Sequence, residues 1–348
     1  MSSSSSSNYY LPHHNKDILF FTDSGMETQL VFQSEFVLRD FAAFELLTST
    51  KGCDYLRNYY RRHVQLAVPT MDQMEEKKND ESNNDNTDED DKNRERKLGF
   101  VLESVLWRAN PDWLIKMGYT PEKDMVPLCQ QAMDLLQEIR QEYPEIPMIK
   151  SGTIGPRLDG YVSNSIMSID QAKAYHLPQI RAMKQAGADI VTAMTMNYLN
   201  EGIGVALAAQ EVEIPVVLSF TLETNGCLLT GESLQEIVET VDRATNGYPA
   251  YYMINCAHPT HFLPMVTASD NDETWKRRLG GIRANASCKS HAELDECEVL
   301  DDGDPLKFGQ EYQQLLQALP SVNVVGGCCG TDYRHVLEIK RALTKATE

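Results

Sequence analysis

The 348-residue chain has no run approaching the roughly 20 apolar residues that cross a bilayer. Its longest apolar stretches, Ile214 to Phe220 and Ala186 to Met196, are short and carry polar residues. A membrane span is excluded. Basic residues are scarce, 32 Lys+Arg against 51 Asp+Glu, and a surface that acidic repels phosphate backbones, which excludes nucleic acid as a natural partner. Cysteine is also sparse, eight in the whole chain, too few for a disulfide scaffold, and no apolar signal sequence precedes them. These features predict a reducing, cytoplasmic setting. The sequence leaves a monomer and a homo-oligomer both open.

Two segments lack what a core requires. Residues 1–16 open with six serines after Met1 and lack the arginines of a transit peptide, and they read as a solvated tail. Residues 75–97 hold 10 acids, 6 bases and no apolar side chain, a composition that cannot offset the entropy of ordering it. They read as a disordered acidic insertion in a single folded unit spanning 17–348.

What remains alternates between short β-rich runs and longer segments of helical periodicity. The eight strand candidates are 18–22, 100–105, 147–153, 189–195, 215–221, 251–255, 281–285 and 322–325. Ser168 with Gln171 and Ser233 with Glu236 fit capping boxes that satisfy the orphan amides at a helix start. Eight such β/α units predict a closed (β/α)8 TIM-type barrel, with the active site on the loops after the strands. An open doubly wound sheet is the alternative, but no GxGxxG follows the first strand.

Chemistry-bearing residues collect at two strand ends. The eighth strand ends in Gly326-Gly327-Cys328-Cys329-Gly330, and the sixth in Asn255-Cys256-Ala257-His258. Glycines let the chain leave strand geometry, so Cys328 and Cys329 can both turn toward one centre. Three thiolates with an open fourth position describe a catalytic zinc site. The other reading is a buried Cys256 beside a core pair or vicinal disulfide of Cys328 and Cys329. His258 and His261 are spare ligand candidates that read better as solvated loop histidines.

Gly326 to Thr331, the Asn255-Cys256 pair and the opening Asp23-Ser24-Gly25-Met26-Glu27-Thr28-Gln29-Leu30 resemble the homocysteine S-methyltransferase family, over roughly Ile18 to Leu343. The resemblance implies the same barrel, zinc on Cys256, Cys328 and Cys329, and Asp23 on the amino group of the acceptor. It implies methyl transfer from a sulfonium donor, S-methylmethionine or S-adenosylmethionine, to homocysteine, giving methionine. Another thiol or selenol acceptor, and a noncatalytic zinc- or thiol-binding relative, are the alternatives. A zinc hydrolase has no HExxH helix to support it.

The chain departs from the family where a glutamate usually helps hold the amino acid near the end of the fourth strand. Met194 stands there, with Asn197 and Glu201 as substitutes. The wording after the second strand and at the end of the seventh, Arg283-Ala284-Asn285-Ala286-Ser287, differs as well. Trp107 and Glu103 are candidates to hold the donor's positive charge through an aromatic face and a carboxylate, and Asn255 joins the substrate-contact set.

Overall fold

The computed structural model describes residues 11–69, 96–158, 166–268, 274–295, 297 and 299–344. Eight strands, each buried along almost its whole length, are β1 (Ile18–Phe21), β2 (Lys97–Glu103), β3 (Met148–Ile154), β4 (Ile190–Met196), β5 (Val216–Phe220), β6 (Tyr251–Asn255), β7 (Leu279–Ala284) and β8 (Val324–Gly327). Every neighbouring pair is parallel and β1 pairs with β8, which closes the sheet into a barrel. The (β/α)8 expectation holds, and the open sheet is excluded by that closing pair.

Closure follows from the pattern of the strands. Strands covered on both faces read as near-continuous apolar runs, as here, because helices shield the outside while side chains fill the inside. Between barrel and helices lies an apolar layer that includes Leu128, Ala132, Leu135 and Ile139 of helix Pro121–Glu142, and Leu234, Ile237, Val238 and Val241 of helix Leu234–Thr245. Both capping boxes form. The barrel interior is divided along its axis. Ile18, Phe20, Val101, Ile149, Ile190, Val217, Tyr251, Met253 and Val324 pack together. Two residues further along the same inward faces stand Glu103, Ser151, Thr192, Ser219 and Asn255, so period-2 alternation places a polar layer at the carboxyl ends of the strands.

Two segment boundaries shift. Pro12–His14 form a 3-10 turn with Pro12 buried, and Asn323 Nδ2 donates to the carbonyls of Pro12 and Asn15 at 2.8 and 3.1 Å. Packing thus begins ahead of residue 17, because this turn stoppers the amino-terminal end of the barrel. Lys97, the last residue assigned to the insertion, opens β2 in register with Ile18; residues 70–95 and 1–10 lie outside the described residues. No helix among the described residues is long and apolar enough to cross a membrane.

Candidate metal and substrate site

At the carboxyl ends of β6 and β8 the sulfurs of Cys256, Cys328 and Cys329 lie within 4.8 Å of one another. Cys256 turns inward through a left-handed conformation, φ +53°. Cys328 and Cys329 reach the same centre because β8 ends in glycine; a Cβ on Gly327 would run into the Thr331 hydroxyl. Cys256 and Cys328 are in disulfide contact with Cα atoms 5.5 Å apart, and Cys329 Sγ is 4.0 Å from Cys256 Sγ. The vicinal pairing of Cys328 with Cys329 is therefore not what forms.

Three sulfurs on one tetrahedral ion, with metal–sulfur bonds of about 2.3 Å, stand roughly 3.8 Å apart. The 4.0 Å separation of Cys256 and Cys329 is close to that spacing. The surrounding donors also suit thiolates. Asn255 Nδ2 donates to Cys256 Sγ at 3.1 Å and to Thr195 Oγ1 at 2.9 Å, while its Oδ1 accepts from Thr195 N at 2.9 Å and Ser219 Oγ at 2.6 Å. Four bonds to three residues fix that amide. Thr195 itself is held at φ +62° where β4 loses its regular register. A β-branched residue there costs of order 1–3 kcal/mol, and the bonds from Asn255 hold it in place.

Asn255 thus donates to one of the cysteines through an amide that Thr195 and Ser219 hold in place. Asn255→Ala should lower metal affinity about 10- to 100-fold while leaving the fold intact, measured by competition with a chromogenic chelator. Unchanged affinity would show that the amide serves the bulge at Thr195 alone.

Beside the cysteines lies a buried cluster of charge. Arg283 of β7 donates through Nη2 to Asp23 Oδ1 at 2.6 Å and to the Ser24 carbonyl at 3.1 Å, through Nη1 to Glu103, and through Nε to the Gly327 carbonyl at 2.9 Å. Burial raises the Glu103 carboxyl to about 7 despite the guanidinium beside it, and raises Glu27 as well. Asp23 and Glu103, read from the sequence as separate contacts for acceptor and donor, meet here on Arg283. Asp23 is not a helix cap, since Gly25 occupies the cap position of helix Met26–Gln33.

The remaining candidates fall less centrally. Trp107 Nε1 donates to the Met194 carbonyl at 3.4 Å, and one face of its ring carries the Arg108 guanidinium at 4.2 Å, with the Trp113 ring 3.8 Å from the same guanidinium. That face already has a cation. Met194 packs in the apolar barrel interior against Trp107. Glu201 accepts from Arg157 N at 2.7 Å and is paired with the buried His176 at 2.8 Å, so its carboxylate is occupied in bracing the helices outside the barrel. Asn197 is buried in the turn after β4.

His258 is buried, not solvated: its Nδ1 accepts from Thr260 N, its Nε2 lies 3.4 Å from Glu311, and burial lowers its pKa to about 4. His261 Nε2 contacts the Cys288 carbonyl at 2.9 Å. Neither joins the cysteines.

The residue that sequence reasoning passed over is Arg283. Its signal was present: a lone arginine among Leu279, Gly280, Gly281, Ile282 and Ala284 on a barrel strand must find buried counter-charge.

Comparison with known proteins agrees with this geometry. A family model described as homocysteine S-methyltransferase matches residues 101–343. Homocysteine S-methyltransferase 1 of Arabidopsis thaliana is 30% identical over 194 residues, 55% of this chain and 57% of the relative. The homocysteine S-methyltransferase of Escherichia coli K12 is 25% identical over 240 residues, 61% of this chain and 70% of the relative. The chain thus spans little more than half the length of the plant relatives it matches. Among solved structures, the Escherichia coli homocysteine methyltransferase MmuM superposes with TM-score 0.66 in its oxidized form and 0.64 in its metallated form. Each match has 17% identity and covers 93% of this chain and 96% of the other, a likeness of fold.

Proposed function

The chain belongs to the homocysteine S-methyltransferase family, and from that premise we propose that it methylates the thiol of homocysteine, giving methionine, with a sulfonium donor, S-methylmethionine or S-adenosylmethionine. The observation that carries the reading is the convergence of the Cys256, Cys328 and Cys329 sulfurs at the mouth of the barrel. Soft thiolate donors in threes favour zinc over hard cations such as magnesium or calcium, and a reducing cytoplasm is the setting that keeps them available.

Cys256, Cys328 and Cys329 would hold the zinc, which when bound would lower the pKa of the acceptor thiol so that it ionises near neutral pH. The residues of the chain do the rest. Asn255 donates to Cys256 and fixes its sulfur. Asp23, Glu103 and Glu27 outnumber Arg283 around the mouth, a surplus of negative charge that suits a cationic donor, and Asp23 and Asn197 stand as contacts for the amino-acid end of the acceptor. In the transfer the donor's carbon–sulfur bond breaks with its electron pair remaining on the donor sulfur. A new carbon–sulfur bond forms on the acceptor, and the thiol proton leaves to solvent.

The deciding experiment measures zinc content of the reduced protein and methionine formation from homocysteine with each sulfonium donor in the same tubes. The expected result is about one zinc per chain and methionine from one donor. Zinc without methionine from either donor would refute transfer from a sulfonium donor to homocysteine and point to another donor, thiol or selenol.

A further inference from the structure

Arg283 has no part in the reaction as described so far, yet the residue is only 8% exposed and adjoins the metal-site cysteines. The main chain of its strand holds two of them: Cys256 N donates to the Arg283 carbonyl at 3.1 Å and Cys328 N to the Ala284 carbonyl at 2.8 Å. The guanidinium reaches the carbonyl of Gly327, the residue before Cys328. A thiol whose sulfur approaches the cysteines therefore brings its other end close to this group.

The guanidinium has five N–H donors. Nε and Nη2 are engaged with Gly327, Asp23 and Ser24, while Nη1 has Glu103 and one further N–H with no acceptor among the described residues. Three carboxylates face the single cation: Asp23 from the end of β1, Glu27 from helix Met26–Gln33 and Glu103 from β2. The other ionisable groups around Glu103 are Tyr60, whose hydroxyl donates to the Glu103 carbonyl, and Tyr251 of β6. A fourth carboxylate can join such a cluster only if one of the three becomes neutral, and Glu103, bonded to Nη1 and raised by burial to about 7, is placed to do so.

We infer that Arg283 reads the carboxylate of the acceptor thiol, which takes the place of Glu103 on Nη1 while Glu103 takes up a proton from solvent. This assignment rests on the methyl-transfer reading above and adds its specificity determinant. The carboxylate gains a charge-assisted partner on Nη1, and Met194 and Trp107 belong to the apolar cluster of the same barrel interior.

The test is calorimetric binding to the reduced, zinc-loaded full chain, using homocysteine, its deaminated analogue 4-mercaptobutanoate and its decarboxylated analogue 3-aminopropanethiol. The decarboxylated thiol should bind at least about 30-fold more weakly than homocysteine, for want of the charge-assisted pair. Between pH 7 and 8.5 the two carboxylate-bearing thiols should lose up to about tenfold per pH unit relative to 3-aminopropanethiol, as one proton is taken up. Release of the thiol proton is common to all three and cancels. In Glu103→Gln that relative slope should vanish. Equal binding of homocysteine and 3-aminopropanethiol, or a slope unchanged in Glu103→Gln, overturns the assignment. Methionine formation followed in parallel tests the methyl-transfer reading separately, because binding is read without turnover.

Discussion

Cys256→Ser is expected to empty the metal site of the reduced protein and to lower methyl transfer by about 10³-fold or more. Two contributions multiply to that figure. An acceptor thiol left at its ordinary pKa of about 8.5 is only about 3% ionised at pH 7, a loss of roughly 30-fold in reactive species. Misplacing a reacting atom by about 1 Å costs a further factor on the order of 10². A serine hydroxyl replaces neither, because it stays protonated where a thiol is ionised by the metal. The measurement is zinc by mass spectrometry together with kcat/KM for homocysteine, and it must be made on reduced protein, since Cys256 and Cys328 in disulfide contact leave one thiol of the three. Cys288→Ser is the control: Cys288 is an exposed free cysteine outside the cluster, so both quantities should stay at the parent values. A Cys256→Ser protein that keeps its zinc and its turnover would remove Cys256 from the ligand set.

The barrel was legible in the sequence because its determinants are local. Most strands are short runs of apolar residues ended by a turn, and Ser168 and Ser233 mark helix starts by a pattern four residues long. The cysteine cluster was legible for a related reason, since β6 and β8 each end in their cysteines and a barrel brings strand ends together. The Arg283 cluster was not, because it joins Asp23, Glu103 and Arg283 across separations of 180 and 260 residues, and nothing local to any one of them specifies its partners. The same holds for Thr195, whose strained backbone depends on Asn255 sixty residues later. His258 misled in the opposite direction. A histidine two residues past a candidate ligand reads as a loop residue, but Pro259 starts a helix there and makes His258 its buried cap.

Arg283→Met should be the most destabilising single substitution at the site, because it strands Asp23 and Glu103 in a buried mouth without their cation. Removing one partner of a buried ion pair costs about 3–5 kcal/mol, read here as a lower denaturant midpoint at unchanged slope. The cost should depend on pH, with a definite sign. Glu103 is raised from its ordinary 4.5 to about 7 in the folded protein, so between those values the folded state holds a proton that the unfolded state has lost. Stability from this group is complete below about 4.5 and declines as pH rises to 7, by roughly 3 kcal/mol over the window. Without Arg283 the pKa of Glu103 rises further, which steepens and extends the decline, so Arg283→Met should be penalised more at pH 8 than at pH 5. Glu103→Gln removes the titrating group: alone it should cost less than about 1 kcal/mol at pH 8, because burial already makes the ionised carboxylate costly in the folded site relative to the unfolded chain. Combined with Arg283→Met it should recover part of the loss, and the double-mutant cycle measures how much of the arginine's contribution runs through Glu103. A pH-independent loss under 1 kcal/mol for Arg283→Met would mean that water reaches the two carboxylates, and the buried cluster would then be no barrier to rearrangement by an incoming substrate.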